Sequence, residues 1–221
     1  MAPRIKICGL KDAATIALMD GLPIHEIGFV FAPSKRQVEP EAAAALIEAA
    51  HRLRTAGGLR PLTVGVFVNP ELGQLKDTVN LTKLDIVQLH GQEPLELLHS
   101  IKEELPVKLW KVFSIGREDT LDQNLANDRL APYKGIVDAV LIDTAGGGTG
   151  QTFDWEAVSA YRAAAAHIGV PLYVAGGLHA DNVGQLLVQY KPDGIDVSSG
   201  VETDGIKDID KIRLFVRRVM E

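Results

Sequence analysis

Hydrophobic positions in this chain come as short unbroken runs, separated by longer stretches in which apolar residues recur every three or four places. The runs cover residues 4–8, 27–31, 62–68, 86–89, 107–113, 137–143, 171–175 and 194–197. Each is rich in Val, Ile or Phe and continuous rather than alternating, as strands buried on both faces require. The stretches between them read as helices. Val183, Leu186, Leu187 and Tyr190 mark one face of a helix over 184–191, and Ile209, Ile212, Val216 and Val219 form one stripe of the last helix. Glu39-Pro40-Glu41 opens an Ala-rich helix, with proline near its first position and acids beside the positive end of its dipole.

Eight strand candidates in 221 residues decide between α/β architectures. A doubly wound sheet uses five or six strands, whereas eight parallel strand–helix units close into a barrel. No Pro-rich linker, charge block or shift in composition divides the chain. The pattern predicts a single (β/α)8 TIM barrel spanning residues 1–221.

Composition narrows the function classes. Hydrophobic residues make up 46% and charged residues 24%, which suits a folded globular chain. With 23 Lys and Arg against 29 Asp and Glu, the net charge of −6 argues against nucleic acid as a partner, since phosphate neutralisation needs a basic surface. Cys8 is the sole cysteine, so no intramolecular disulfide forms and a Cys-rich zinc site is excluded. The six histidines include no i,i+4 pair on a helix, and no metal is expected. The N-terminus lacks the apolar core of a secretory signal, and no run is long enough to span a bilayer. The expectation is a cytoplasmic protein without a membrane partner, monomeric by default, with a homodimer left open.

A barrel carries its active site at the C-terminal ends of its strands. Those ends here are polar or glycine-rich: Cys8-Gly9, Gln88-Leu89-His90-Gly91, Asp143, Gly176-Gly177 and Ser198-Ser199-Gly200. Alternation places Leu141 and Asp143 on one face of strand six and Lys6 and Cys8 on one face of strand one, so Cys8 and Asp143 can both point into the barrel mouth. A thiol and a carboxyl facing each other form a base–acid pair. Alone, Cys8 reads first as a small buried hydrophobe; Asp143, closing an apolar strand, needs a partner or a task. Gly176, Gly177, Ser198, Ser199 and Gly200 lie in the two adjacent loops that most often bind phosphate in this fold, although tight turns would use the same residues. The loop Thr144-Ala145-Gly146-Gly147-Gly148-Thr149-Gly150-Gln151 is no phosphate-binding P-loop, because Gln151 stands where lysine is needed. It reads as a lid or as a surface loop. Arg36 offers a planar fork for an anion, and as a single loop arginine it also reads as exposed.

Taken in order, these segments carry a resemblance. Lys6-Ile7-Cys8-Gly9-Leu10, Gly28-Phe29-Val30-Phe31 with Ser34-Lys35-Arg36-Gln37-Val38, Val64-Gly65-Val66-Phe67-Val68 and Gln88-Leu89-His90-Gly91 belong to it. So do Leu141-Ile142-Asp143 with Gly147-Gly148-Thr149-Gly150 and Phe153-Asp154-Trp155, Ala175-Gly176-Gly177-Leu178, and Gly194-Ile195-Asp196-Val197-Ser198-Ser199-Gly200-Val201-Glu202 with Gly205, Lys207 and Asp208. Across nearly the whole chain the sequence resembles the phosphoribosylanthranilate isomerases, enzymes of tryptophan biosynthesis that perform an Amadori rearrangement.

The resemblance implies a phosphorylated small-molecule substrate, N-(5-phosphoribosyl)anthranilate. It makes Asp143 the general acid that opens the furanose ring and Cys8 the general base that removes the C2′ proton. Arg36 would hold the anthranilate carboxylate, with His90 and Asp196 contacting ring or hydroxyl groups; His90 reads equally as a satisfied core histidine. No cofactor is implied, because the substrate's own amine supplies the electron sink. A free thiol is mostly protonated at neutral pH, so Lys6, or a Lys6–Asp196 pair, is expected to tune Cys8. Asp143 is expected to stay protonated through desolvation. Two rival phosphosugar barrels fit less well: an epimerase would need metal-binding His and Asp at several strand ends, and an indole-glycerol-phosphate synthase would need catalytic Lys and Glu there. A silent barrel that senses a phosphorylated metabolite would need neither Cys8 nor Asp143.

Overall fold

The computed structural model describes residues 2–116, 123–144 and 155–221. Eight strands follow one another around a closed parallel barrel. They are β1 (Arg4–Cys8), β2 (Glu26–Val30), β3 (Leu62–Phe67), β4 (Ile86–Leu89), β5 (Lys108–Ile115), β6 (Ala139–Thr144), β7 (Leu172–Val174) and β8 (Gly194–Val197). Closure is made by β1 on β8, where Lys6 stands opposite Asp196. The helices α1 (Ala13–Ala17), α2 (Pro40–His51), α3 (Leu72–Thr82), α4 (Leu95–Glu104), α5 (Gln123–Leu130), α6 (Ala157–Ile168), α7 (Val183–Tyr190) and α8 (Ile209–Met220) alternate with them. A short hairpin, β9 (Glu202–Thr203) with β10 (Ile206–Lys207), is inserted between β8 and α8.

The eight expected strands are all present, displaced by one or two residues at several ends. The difference at β2 is instructive: the strand begins at Glu26, a wholly buried carboxylate that a search for apolar runs leaves out. Among the described residues, two helices begin on side-chain caps. Asp12 accepts from the backbone N–H groups of Ala14 and Thr15 at the start of α1, and Asp208 from those of Asp210 and Lys211 at the start of α8.

Strand alternation divides the core in two. One set of residues, including Ile5, Ile7, Ile27, Val140 and Ile142, packs outward against the helices. The other set, with Val64, Ile86, Trp110, Val112, Leu141 and Tyr173, fills the barrel interior. Polar groups lie above and below this inner cluster. Toward the N-terminal end, Arg4 and Tyr173 both bond to Glu26, at 2.8 Å and 3.2 Å. Higher up, Lys6 Nζ donates to Asp196 Oδ2 over 2.8 Å. A buried charge persists only where it is paired, and the barrel axis carries such pairs at two levels.

Candidate active site

The upper strand ends surround a cavity of about 250 Å³. Cys8 reaches it from β1, Asp143 from β6, Asp196 from β8 and His90 from just beyond β4; Arg36, Gly176, Gly177, Ser198 and Ser199 complete its predicted lining. Gly200 is the one predicted residue that does not line it. Its glycine has another reason, because a Cβ there would stand 1.9 Å from the Leu178 carbonyl oxygen, so the loops after β7 and β8 pack backbone to backbone. A larger cavity of about 520 Å³ opens at the opposite end of the barrel, against Arg4, Glu26, Trp110 and Tyr173. That end is a stability face in this fold, and the acid, the thiol and the arginine all gather at the smaller cavity.

Cys8 and Asp143 are each 7% exposed, so both can be dry while still touching the cavity. Burial pushes the Cys8 thiol up, and the cations of Lys6 and Lys207 pull against it. For Lys6, burial disfavours the ammonium, but Asp196 and Cys8 outweigh that and hold its pKa above the usual lysine value. His90 Nε2 lies 3.7 Å from Asp143 Oδ2. Burial, joined by the charges of Lys6 and Lys111, holds the His90 imidazole below its ordinary pKa and therefore neutral at pH 7. Two buried acceptors on the lining, Asp196 Oδ1 and Gln88 Oε1, have no hydrogen-bond partner among the described residues. An unmet buried acceptor is costly, which suits atoms that await a hydroxyl donor.

Sequence reasoning passed over Gln88, Glu202 and Lys207 as site residues. Glu202 accepts Arg36 Nε and Nη2 at 2.6 Å and 2.9 Å and Lys207 Nζ at 2.5 Å. Burial works against its carboxylate, but the hydrogen bonds from Arg36 and Lys207 overcome it and draw the pKa down to about 2. Arg36 is thus no exposed loop arginine; it is 9% exposed. A signal for the hairpin was present in the dipeptide Asp204-Gly205, whose φ angles of 51° and 78° suit a two-residue turn. The glycine-rich segment after Thr144, together with Phe153 and Asp154, lies outside the described residues. Among the described residues no group of three or more His, Cys, Asp or Glu could hold a metal, and no helix is long and apolar enough to cross a membrane.

A family model described as N-(5′-phosphoribosyl)anthranilate (PRA) isomerase matches residues 5–218. The chain belongs to the phosphoribosylanthranilate isomerase family. Within that family it is 42% identical over 220 residues to the N-(5′-phosphoribosyl)anthranilate isomerase of Brevibacillus brevis, covering 98% of this chain and 93% of the relative. Its fold matches monomers of the dimeric phosphoribosylanthranilate isomerase of Thermotoga maritima with a TM-score of 0.77 and 32% identity, over 99% of this chain and 98% of that one. It also matches, with a TM-score of 0.76, 32% identity and the same coverage, a phosphoribosylanthranilate isomerase in complex with reduced 1-(o-carboxyphenylamino)-1-deoxyribulose 5-phosphate.

Proposed function

We propose that this chain converts N-(5-phosphoribosyl)anthranilate into 1-(2-carboxyphenylamino)-1-deoxyribulose 5-phosphate by general acid–base catalysis, as one catalytic domain over residues 1–221. The observation that carries the reading is the placement of Cys8 and Asp143, on strands β1 and β6, on one 250 Å³ cavity that also meets Arg36 and the loops after β7 and β8. Membership of the family, and the related enzyme held with a reduced product, support the choice of substrate.

Asp143 protonates the furanose ring oxygen, and the C1′–O bond breaks to leave an iminium on the anthranilate nitrogen. The iminium acidifies the C2′ proton, which the Cys8 thiolate removes, giving an enolamine that tautomerises to the ketone. The electrons stay within the substrate throughout, so no cofactor enters this scheme. Arg36 binds the anthranilate carboxylate, Asp196 accepts from a sugar hydroxyl, and His90 faces the reacting groups as a neutral ring. Backbone N–H groups around Gly177 and Ser199, with the Ser199 hydroxyl, receive the phosphate. A single free thiol is best preserved in a reducing compartment, which supports action in the cytoplasm. The groups named in this scheme line one cavity of one chain, which supports a monomer as the acting unit.

The test is steady-state turnover of freshly generated phosphoribosylanthranilate, followed by loss of anthranilate-type fluorescence in the presence of a chelator. Turnover well above background is expected. A folded protein without turnover would overturn the isomerase reading and leave a phosphate-binding barrel in its place.

A further inference from the structure

The β9–β10 hairpin ends in Glu202 and Lys207, and both side chains are buried, each 5% exposed, Glu202 against Arg36 and Lys207 against Ser198 of the cavity lining. Glu202 takes one whole edge of the Arg36 guanidinium, with Oε1 on Nε and Oε2 on Nη2. A guanidinium has a second donor edge, formed by Nη1 and the outer hydrogen of Nη2, and that edge matches another carboxylate bidentately. The stem of Arg36 is confined as well, for a Cβ at Gly9 would stand 2.6 Å from Arg36 Cδ. Lys207 extends the same network. It donates to Glu202 Oε1 at 2.5 Å, to the Ser198 carbonyl at 3.0 Å and to the Ser198 hydroxyl at 3.2 Å, and that hydroxyl donates to the Cys8 carbonyl at 3.1 Å.

We infer that Glu202 is a positioning residue for substrate selectivity: by occupying the Nε–Nη2 edge of Arg36, it fixes the remaining edge toward the cavity and so selects a substrate that carries a planar carboxylate there. The inference rests on the reading of Arg36 as the carboxylate-binding residue. Neutralisation does not defeat it, because Arg36, Lys35 and Lys207 surround the single Glu202 carboxylate and leave the cluster with an excess of positive charge. An arginine without Glu202 would keep its charge but regain rotamer freedom, which must then be lost on binding. The effect therefore falls on discrimination between ligands with and without the carboxylate, and a purely structural role would lower both affinities alike.

The experiment measures equilibrium binding of two reduced product analogues by calorimetry, one bearing a 2-carboxyphenylamino group and one a plain phenylamino group. Wild type is expected to favour the carboxylate-bearing analogue by tenfold or more. Glu202→Gln is expected to bind the plain analogue as wild type does and to lose most of that preference. Glu202→Asp, which keeps the charge but withdraws it by one methylene, is expected to fall between the two and decides the matter if the Gln variant does not fold. Full preference retained in either folded variant, or no preference in wild type, would overturn the role of Glu202. Turnover of wild type is measured separately: a protein that prefers the carboxylate in a Glu202-dependent way without isomerising supports this inference and overturns the proposed activity, while turnover with a preference indifferent to Glu202 does the reverse.

Discussion

Lys6 Nζ holds Asp196 Oδ2 at 2.8 Å, two positions below Cys8 on the inward face of β1. The pair places a buried ammonium under the thiol, and Asp196 sets the opposing charge. Burial and Asp196 disfavour the thiolate and hold the thiol above its usual value, whereas Lys6 and Lys207 favour the thiolate. Lys6→Met removes the larger favourable charge and leaves Asp196 unpaired, and both changes raise the thiol pKa. The acid limb of kcat/KM is expected to move to higher pH by about one unit or more. Because an uncompensated buried carboxylate costs about 3–5 kcal/mol, the Lys6→Met/Asp196→Asn double variant is the companion measurement. Its limb should also lie above that of wild type, by a smaller margin. A limb unchanged in both variants would remove Lys6 from the tuning of Cys8.

Cys8→Ala and Asp143→Asn each remove one proton-transfer group without emptying the cavity. Each is expected to lower kcat by about 10²–10⁴-fold while KM changes only a few-fold. Arg36→Ala should behave in the opposite sense, raising KM well above its effect on kcat, since the carboxylate it binds takes no part in bond changes. Steady-state kinetics on the three variants separates the roles, and an unchanged KM in Arg36→Ala would remove that residue from the site.

The barrel was legible because a parallel sheet covered on both faces writes its strands as continuous apolar runs, and eight of them leave few topologies. The inward face at the top of the barrel was legible for a related reason: Asp143 breaks an apolar run, and alternation gives it the same parity as Leu141. Glu202 and Lys207 were not legible as site residues. They pair at the open end of the β9–β10 hairpin, and their partners Arg36 and Ser198 are distant in the chain or belong to another element, so spacing carries no trace of the contact. Glu26 was missed at the edge of β2 for a similar reason. Its partners Arg4 and Tyr173 come from β1 and β7, and nothing local in the sequence says that a charge there is buried and paired.

His90 provides a spectroscopic check on the electrostatics of the mouth. Burial, joined by Lys6 and Lys111, presses its imidazole toward neutrality, and Asp196 and Glu93 act in the other direction with less weight. The ring is expected to titrate below the ordinary value of about 6.5, measured by NMR on imidazole-labelled protein. Lys111→Met should raise that value, since it removes a cation that opposes protonation. A His90 titrating above 6.5 in wild type would mean that a nearby carboxylate, Asp143 foremost at 3.7 Å, dominates instead.

Gly28 on β2 tests how finely the thiol is placed. A Cβ at this position would stand 2.7 Å from Cys8 Sγ and 3.2 Å from Cys8 Cα, because β1 and β2 face each other there in register. The thiol can rotate away, whereas the backbone contact gives only slightly. Gly28→Ala is therefore expected to leave the barrel folded but turn Sγ off its line to the substrate. Misplacement by about 1 Å costs on the order of a hundredfold in rate. The measurement is kcat beside the far-ultraviolet circular dichroism of the same preparation. A variant with wild-type kcat would show that the position of Sγ seen here is not the one used in catalysis.

Glu202 also ties the site to acid stability. Its pKa falls from 4.5 in the unfolded chain to about 2 in the fold, so the native state holds fewer protons than the unfolded state between those values. The contribution is complete above about pH 5 and is lost as pH falls toward about 2; the depression corresponds to roughly 3 kcal/mol, of which about 2 kcal/mol has gone by pH 3. Glu202→Gln has no proton to take up there. The difference in unfolding free energy between pH 7 and pH 3, from urea titrations, is therefore expected to be smaller in the variant than in wild type by about that amount. At pH 7 the variant is the less stable protein, because it leaves Arg36 and Lys207 without their shared carboxylate, and the gap narrows as the medium becomes acid. Equal losses in the two proteins would show that Arg36 and Lys207 do not hold Glu202 ionised in solution, and the positioning argued above for Arg36 would lose its anchor.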